Sequence, residues 1–195
     1  MALVCCGRRS RLRGFLRHTA VLGLLWSSMF VFSPPSWGQL PHYALQSRIN
    51  SCGAAALAAV LQSLGHGSID EHVLWQWAQQ DYRQTPLGIP DGGLSLADLK
   101  RLSHRAGIST RGVRVPATAL GSLPTPAIIR LSREPLPHFV VLWQVQGQVA
   151  QVFDPALGNY WLELPSLLAR NQSANHEEGT NDKLSALIVD SPPST

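Results

Sequence analysis

From Cys52 to Leu64 the chain reads Cys-Gly-Ala-Ala-Ala-Leu-Ala-Ala-Val-Leu-Gln-Ser-Leu and closes on Gly65. Alanine and leucine have high helix propensity and a following glycine ends helices readily, so the stretch predicts a helix that begins near Cys52. Its small residues suit close packing against a neighbour. Outward from it, Val73, Leu74, Trp77 and Ala78 form an apolar stripe that predicts a second helix over Ile69–Gln80. A third is predicted over Ser95–Ala106, with Ser95 as N-cap. Thr85 to Gly93 (TPLGIPDGG) reads as a loop between these two. Beyond residue 106 the periodicity changes. Short apolar runs at Thr110–Val115, Ala127–Leu131, Phe139–Val145, Val149–Phe153 and Leu184–Val189 predict strands separated by turn residues. Helices first and strands later, with no alternating strand and helix units, point to an α+β domain: N-terminal helices packed on an antiparallel sheet. Asn171–Asp182 and the tail Ser191–Thr195 read as solvated segments.

Toward the amino end the composition is different. The chain has 195 residues, 45% hydrophobic and 14% charged, with a formal net charge of +4. That balance excludes wholesale disorder and collagen-like repetition. Five of the 16 basic residues (Arg8, Arg9, Arg11, Arg13, Arg17) precede position 18, and the first acidic residue is Asp70. The apolar run Ala20–Phe32 follows at once, too short to span a bilayer comfortably but suited to the apolar core of a signal peptide. We read residues 1–38 as a secretory signal peptide cleaved after Gly38, because Ser36 and Gly38 put small residues where a signal peptidase inspects them. Ala44 is an alternative boundary, and an uncleaved signal anchor is the rival reading. Pro34 and Pro35, which end a helix soon after the apolar run, count against the anchor.

Without the leader the exported domain, 39–195, keeps 11 basic residues against 12 acidic ones, a net of −1. A basic surface for nucleic acid disappears with the leader, and no nucleic-acid motif remains. Cys5 and Cys6 leave as well, so Cys52 is the one thiol of the exported domain and cannot form an internal disulfide. An unpaired thiol in an oxidising compartment must be buried or used.

Cys52 at a helix start faces unsatisfied backbone amides and the positive end of the helix dipole, which favour a thiolate, the reactive form. The bland alternative is a small buried cysteine packed among alanines. His138 stands just before the run Phe139–Val145 and Asp154 just after Val149–Phe153. If those runs form a hairpin turning at Gln146-Gly147, His138 and Asp154 are equidistant from residue 146 and become cross-strand neighbours. The carboxylate can then fix the imidazole tautomer while the other ring nitrogen takes a proton from the thiol. Gln46, six residues before Cys52, can donate to a developing oxyanion together with the Cys52 backbone amide. His42, His66, His72, His104 and His176 show no metal-site spacing, and neither a metal nor a cofactor is expected. Trp75 and Trp77 read as core and rim residues, and the loop Leu87–Gly93 either borders the cleft or merely connects two helices.

The order Gln46, then Ser51-Cys52-Gly53-Ala54-Ala55-Ala56-Leu57 opening a helix, then His138-Phe139-Val140-Val141-Leu142, then Asp154-Pro155 with Gly158 soon after resembles the peptidase C39 family. These are papain-like cysteine proteases related to the domains that cut bacteriocin leader peptides after a double glycine. The resemblance covers about Gln46–Leu168. It implies a papain-like α+β fold, Cys52 as nucleophile, His138 as general base and then acid, Asp154 as orienting residue, and Gln46 as oxyanion-hole donor. It also implies a core at about 46–190. Ser51 departs from the aspartate that family members often carry before the nucleophile, which bears on substrate preference near the site. The transporter-linked members continue into a membrane domain and an ATPase, whereas this chain resembles a stand-alone, exported peptidase. The expectation is a periplasmic cysteine endopeptidase acting on an exported protein or peptide, with secretion components, including those for functional amyloid fibres, as implied partners. No nucleic-acid partner is expected, and contact with the inner membrane only through an uncleaved leader. Two alternatives stay open: a non-catalytic peptide-binding or chaperone module, and acyl transfer by the same triad.

Overall fold

The computed structural model describes residues 42–83, 88–132, 136–171 and 183–190; the leader, the polar stretch 172–182 and the tail lie outside them. Three helices come first: α1 (Cys52–Ser63), α2 (Glu71–Tyr82) and α3 (Leu96–Arg105). Then follow β1 (Thr110–Pro116), a 3-10 helix over Ala117–Ser122, β2 (Ala127–Leu131), β3 (His138–Gln146), β4 (Val149–Asp154), β5 (Gly158–Glu163), α4 (Leu164–Ala169) and β6 (Lys183–Val189). The strands form one six-stranded sheet in the order β1-β6-β2-β3-β4-β5, and every pairing is antiparallel.

Local chemistry explains the helix boundaries. Asp70 accepts a hydrogen bond from the Val73 amide, which moves the start of α2 to Glu71 rather than Ile69. Ser95 and Asp98 form a reciprocal capping box at α3, and the buried Asp98 carboxylate also accepts from Tyr82 and pairs with Arg101. α1 is the central helix: every residue from Cys52 to Leu61 is buried.

Alternate residues of the strands serve two cores. Ile128, Phe139, Val141, Phe153 and Leu187 pack against α1, α2 and α3, while Ala127, Ile129, Leu131, Val140, Leu142, Ala150, Val152 and Ile188 meet the 3-10 helix and α4. A sheet buried on both faces produces the near-continuous apolar runs seen in the sequence. Besides the short 3-10 helix, two elements were not expected, β5 and α4. The first is a half-buried edge of mixed polarity, and the second has only six residues, too few for helical periodicity to show.

The hairpin register also differs from the expectation. The turn is Gly147-Gln148, with Gly147 at φ +61, and Gln146 pairs with Val149. A bulge between Leu142 and Gln144 then shifts the register, so that Val141 faces Phe153. Continued by one residue, that register sets Asp154 opposite Val140. His138 and Asp154 are therefore diagonal neighbours, two residues out of the direct alignment the sequence implied, and their side chains bridge the offset.

Candidate active site

Glycine brings the thiol to the sheet. A β-carbon at Gly53 would come within 3.3 Å of both Leu99 Cδ2 and Phe139 Cδ2, so glycine lets the start of α1 settle on the start of β3 without displacing either side chain. Phe139 follows His138, and Gly53 follows Cys52. The same close approach brings Cys52, 5% exposed, beside the His138 imidazole, near enough for the two to interact electrostatically.

On its other side His138 Nε2 lies 2.7 Å from Asp154 Oδ1. With Nε2 committed to the carboxylate, Nδ1 is the nitrogen left for the thiol. Burial, the largest influence, works against a charge on this imidazole. Hydrogen bonds to Asp154 and Cys52 and the charges of both outweigh it, and the His138 pKa is pushed up to about 9. For Asp154, burial opposes the anion most strongly, but the bond and charge of His138, the Ala156 amide and Tyr160 together hold its carboxyl below the ordinary value. The arrangement stabilises an imidazolium beside the Asp154 carboxylate. It can present a nucleophile, move a proton, and return it.

The segment before Cys52 is pinned from two directions. The Gln46 amide donates 2.8 Å to the Pro155 carbonyl, tying this segment to the residue after Asp154. Glu71, 8% exposed at the start of α2, accepts from the Ser47 amide with both carboxylate oxygens and from the Ser47 hydroxyl at 2.9 Å. Ser51 is fully buried and closes a local turn, donating to the Arg48 carbonyl and accepting from the Arg48 amide. Gly93, at φ +79, lies so close to Asn50 that a β-carbon there would stand 2.2 Å from the Asn50 carbonyl oxygen. The end of the Gly-Pro loop thus abuts the backbone two residues before Cys52, while residues 84–87 of that loop lie outside the described ones.

The four residues singled out in the sequence fall into two groups. Cys52, His138 and Asp154 are brought together, with His138 bonded to Asp154 and lying beside Cys52. Gln46 sits at the edge of this group, but its side-chain Nε2 donates 2.8 Å to the Arg48 carbonyl and stands 3.4 Å from that of Ile49, which leaves its buried Oε1 unpartnered. Of the tryptophans, Trp75 is buried in the helical core, and Trp77 lies under the Arg105 guanidinium at 4.5 Å. Glu71, Tyr160 and Arg170 were missed, because each acts through a partner that only the fold brings near. Pro165 in the first turn of α4 was the one legible signal for the element that leads to Arg170.

Residues 41–172 match the peptidase C39 family. The chain belongs to that family. Its C39 segment is 39% identical over 111 residues to the probable functional amyloid protease FapD of Pseudomonas aeruginosa, covering 56% of this chain and 47% of that protein. The protein of the same name from Pseudomonas fluorescens is 32% identical over 123 residues, covering 61% of this chain and 52% of that one. The chain spans about half the length of these curated relatives. Among solved structures, it is similar to a double glycine motif protease from an AMS/PCAT transporter in complex with the leader peptide. Identity there is 21% and the TM-score 0.52, over 79% of this chain and 94% of that one. The peptidase domain of Streptococcus ComA gives 15% identity and a TM-score of 0.57, over 76% and 96%. The fold is therefore the α+β, papain-like fold of C39 peptidase domains, and the family is one of cysteine peptidases.

Proposed function

We propose that this chain is an exported cysteine endopeptidase that cleaves a secreted protein or peptide through Cys52, His138 and Asp154. The observation that carries the reading is the juxtaposition of three groups: a thiol at a helix start, beside an imidazole whose Nε2 is 2.7 Å from a buried carboxylate. In the proposed reaction the Cys52 sulfur attacks a peptide carbonyl and the Cys52 backbone amide, at the N-terminal end of α1, donates to the oxyanion. His138 gives its proton to the leaving amine, and a thioester remains on Cys52. Water then loses a proton to His138 and attacks that thioester, which frees the acid product and the thiol. Asp154 keeps the imidazole oriented and its charge balanced throughout. Gln46 serves as the second oxyanion donor by releasing one of the Arg48 and Ile49 carbonyls that its amide now holds.

Residues 1–38 deliver the domain 39–195 to the periplasm as a cleaved signal peptide. The name shared by the two Pseudomonas relatives supports an exported amyloid component or its secretion partners as substrate class. The test incubates purified protein and its Cys52→Ala variant with candidate exported proteins encoded nearby, and maps cleavage by mass spectrometry. Cleavage at one site by the native protein alone supports the reading. Equal processing by both removes Cys52 from the mechanism, and a retained complex without cleavage by either identifies a binding module instead.

A further inference from the structure

The catalytic carboxylate has two oxygens, and only one of them faces His138. Asp154 Oδ1 accepts from His138 Nε2 at 2.7 Å and from the Ala156 amide at 2.9 Å. Its Oδ2 points the other way, toward the segment formed by β5 and α4. There the Tyr160 hydroxyl donates to Oδ2 at 3.4 Å, and Arg170 Nη1 lies 4.0 Å from the same oxygen. Arg170 in turn donates to the Tyr160 hydroxyl oxygen at 2.6 Å, with its guanidinium 5.3 Å from the Tyr160 ring centroid. The phenol is thus held from behind by a cation and directs its own hydrogen at the carboxylate. Burial first, and then the Asp154 charge, raise the Tyr160 hydroxyl above its ordinary value, so it remains a donor throughout the neutral range.

We propose that Tyr160 and Arg170 are positioning residues of the active site, a phenol-guanidinium brace that fixes the rotation of the Asp154 carboxylate and through it the orientation and proton affinity of His138. This rests on the reading of Cys52, His138 and Asp154 given above. A carboxylate held at one oxygen only can rotate about its own axis, and the bond to Nε2 is then lost for part of the time. With the second oxygen held as well, one rotation is selected. The topology serves this end. The turn after Asp154 leads directly into β5, which pairs back on β4 with Asp154 opposite Gly158, and α4 carries the chain round to Arg170 on the same side. A short strand and a short helix that look like mere connection in the sequence are the mounting of the acid. The Arg170 side chain is 38% exposed, and its polar contacts are with the Tyr160 hydroxyl and the Asp154 carboxylate.

Among the described residues, the groups facing this centre are few enough for a pH profile to be interpretable. Asp154 is faced by His138 from β3, the Ala156 amide from its own turn, Tyr160 from β5 and Arg170 from the end of α4. His138 is faced by Asp154 and by Cys52 from α1. The test uses the full chain and iodoacetamide as probe. Alkylation of Cys52 is followed by intact mass from about pH 5 to pH 10, a range that spans imidazole and thiol ionisation. It is applied to the native protein and to Tyr160→Phe, Arg170→Met, Arg170→Lys and His138→Ala. For Tyr160→Phe and Arg170→Met the alkaline limb should move to lower pH by about half a unit or more, because a carboxylate free to rotate holds the imidazolium for only part of the time; loss of the Arg170 cation by itself would move the limb upward, so an upward shift in Arg170→Met overturns the brace. Arg170→Lys should fall between Arg170→Met and the native protein, and thermal melts of all three should stay close to native. A merely structural role would move the melts and leave the limb in place. Tyr160→Phe and Arg170→Met profiles that superimpose on the native one, while His138→Ala differs from it, overturn the brace alone. Coincidence of the native and His138→Ala profiles overturns the underlying Cys52–His138 pairing, and the brace with it.

Discussion

Replacing Asp154 by asparagine removes a charge while nearly preserving a shape. An asparagine oxygen can take the place of Oδ1, where it still accepts from His138 Nε2 and the Ala156 amide, now 2.7 and 2.9 Å away. What disappears is the negative charge, together with the second acceptor toward Tyr160 and Arg170. His138 stands at about 9 against an ordinary 6.5, and burial, its largest single influence, already pushes downward. The raising influences therefore exceed the net shift, and those of Asp154 lead them. The gap of about 2.5 units corresponds to about 3 kcal/mol between the two protonation states, at about 1.4 kcal/mol per unit. The side chain is only 13% exposed, so solvent screens little of this. A histidine-selective NMR titration of Asp154→Asn should find the His138 midpoint lowered from about 9 to about 6.5 or below. Activity at neutral pH should fall by about a hundredfold or more, because the imidazolium is no longer held against the buried thiol. The linkage has a definite sign. A raised histidine pKa contributes stability that is fully present below 6.5 and is lost as pH rises through about 9. The native melting temperature should therefore decline across that window, and the Asp154→Asn melting temperature should not. A variant whose His138 midpoint matches the native one would refute this account of the pair.

Three further substitutions separate support from chemistry. Gly53→Ala should gain about 1 kcal/mol in helix propensity and lose about 1–3 kcal/mol to overpacking against Leu99 and Phe139. Its melting temperature should thus change little while peptide cleavage drops about tenfold or more, since Cys52 is pushed away from His138. Gly93→Ala places a β-carbon 2.2 Å from the Asn50 oxygen at a left-handed φ, and should cost about 3 kcal/mol or more, read as a melting temperature lower by about 10 °C. Gln46→Ala should lower kcat by about a hundredfold with little change in KM, as the loss of an oxyanion donor does; an unchanged kcat in steady-state assays would leave the Cys52 amide as sole donor.

Much of the fold was legible because its strongest signals are local. α1 shows itself as an alanine and leucine run stopped by glycine, and α3 by the Ser95 and Asp98 capping pair. The central strands show themselves as apolar runs because both faces of the sheet are covered. What the residues did not disclose is non-local. The turn lies at Gly147-Gln148, beyond Gln146, which alone sets His138 and Asp154 three positions out; the bulge at Trp143, which needs no special residue, recovers one of the three, so a hairpin centred on Gln146 came out two positions off at the end that matters. Glu71 lies 24 residues from Ser47, and Tyr160 and Arg170 sit in elements too short or too mixed for periodicity to mark. Cys52, His138 and Asp154 were readable as candidates, from residue types at telling positions. Their supports were not, because a glutamate, a tyrosine and an arginine acquire meaning only from what folding places beside them.

In the proposed reaction Cys52 attacks the peptide bond with His138 as its proton carrier, and the covalent intermediate is the direct signature of that step. A cleavable exported substrate is mixed with excess protein, quenched in acid at early times, and the protein is examined by intact and peptide-level mass spectrometry. The account predicts a thioester joining the amino-side fragment of the substrate to Cys52, absent from Cys52→Ala and strongly diminished in His138→Ala. Cleavage that proceeds at native rate with Cys52 unmodified, or that survives in Cys52→Ala, would contradict it.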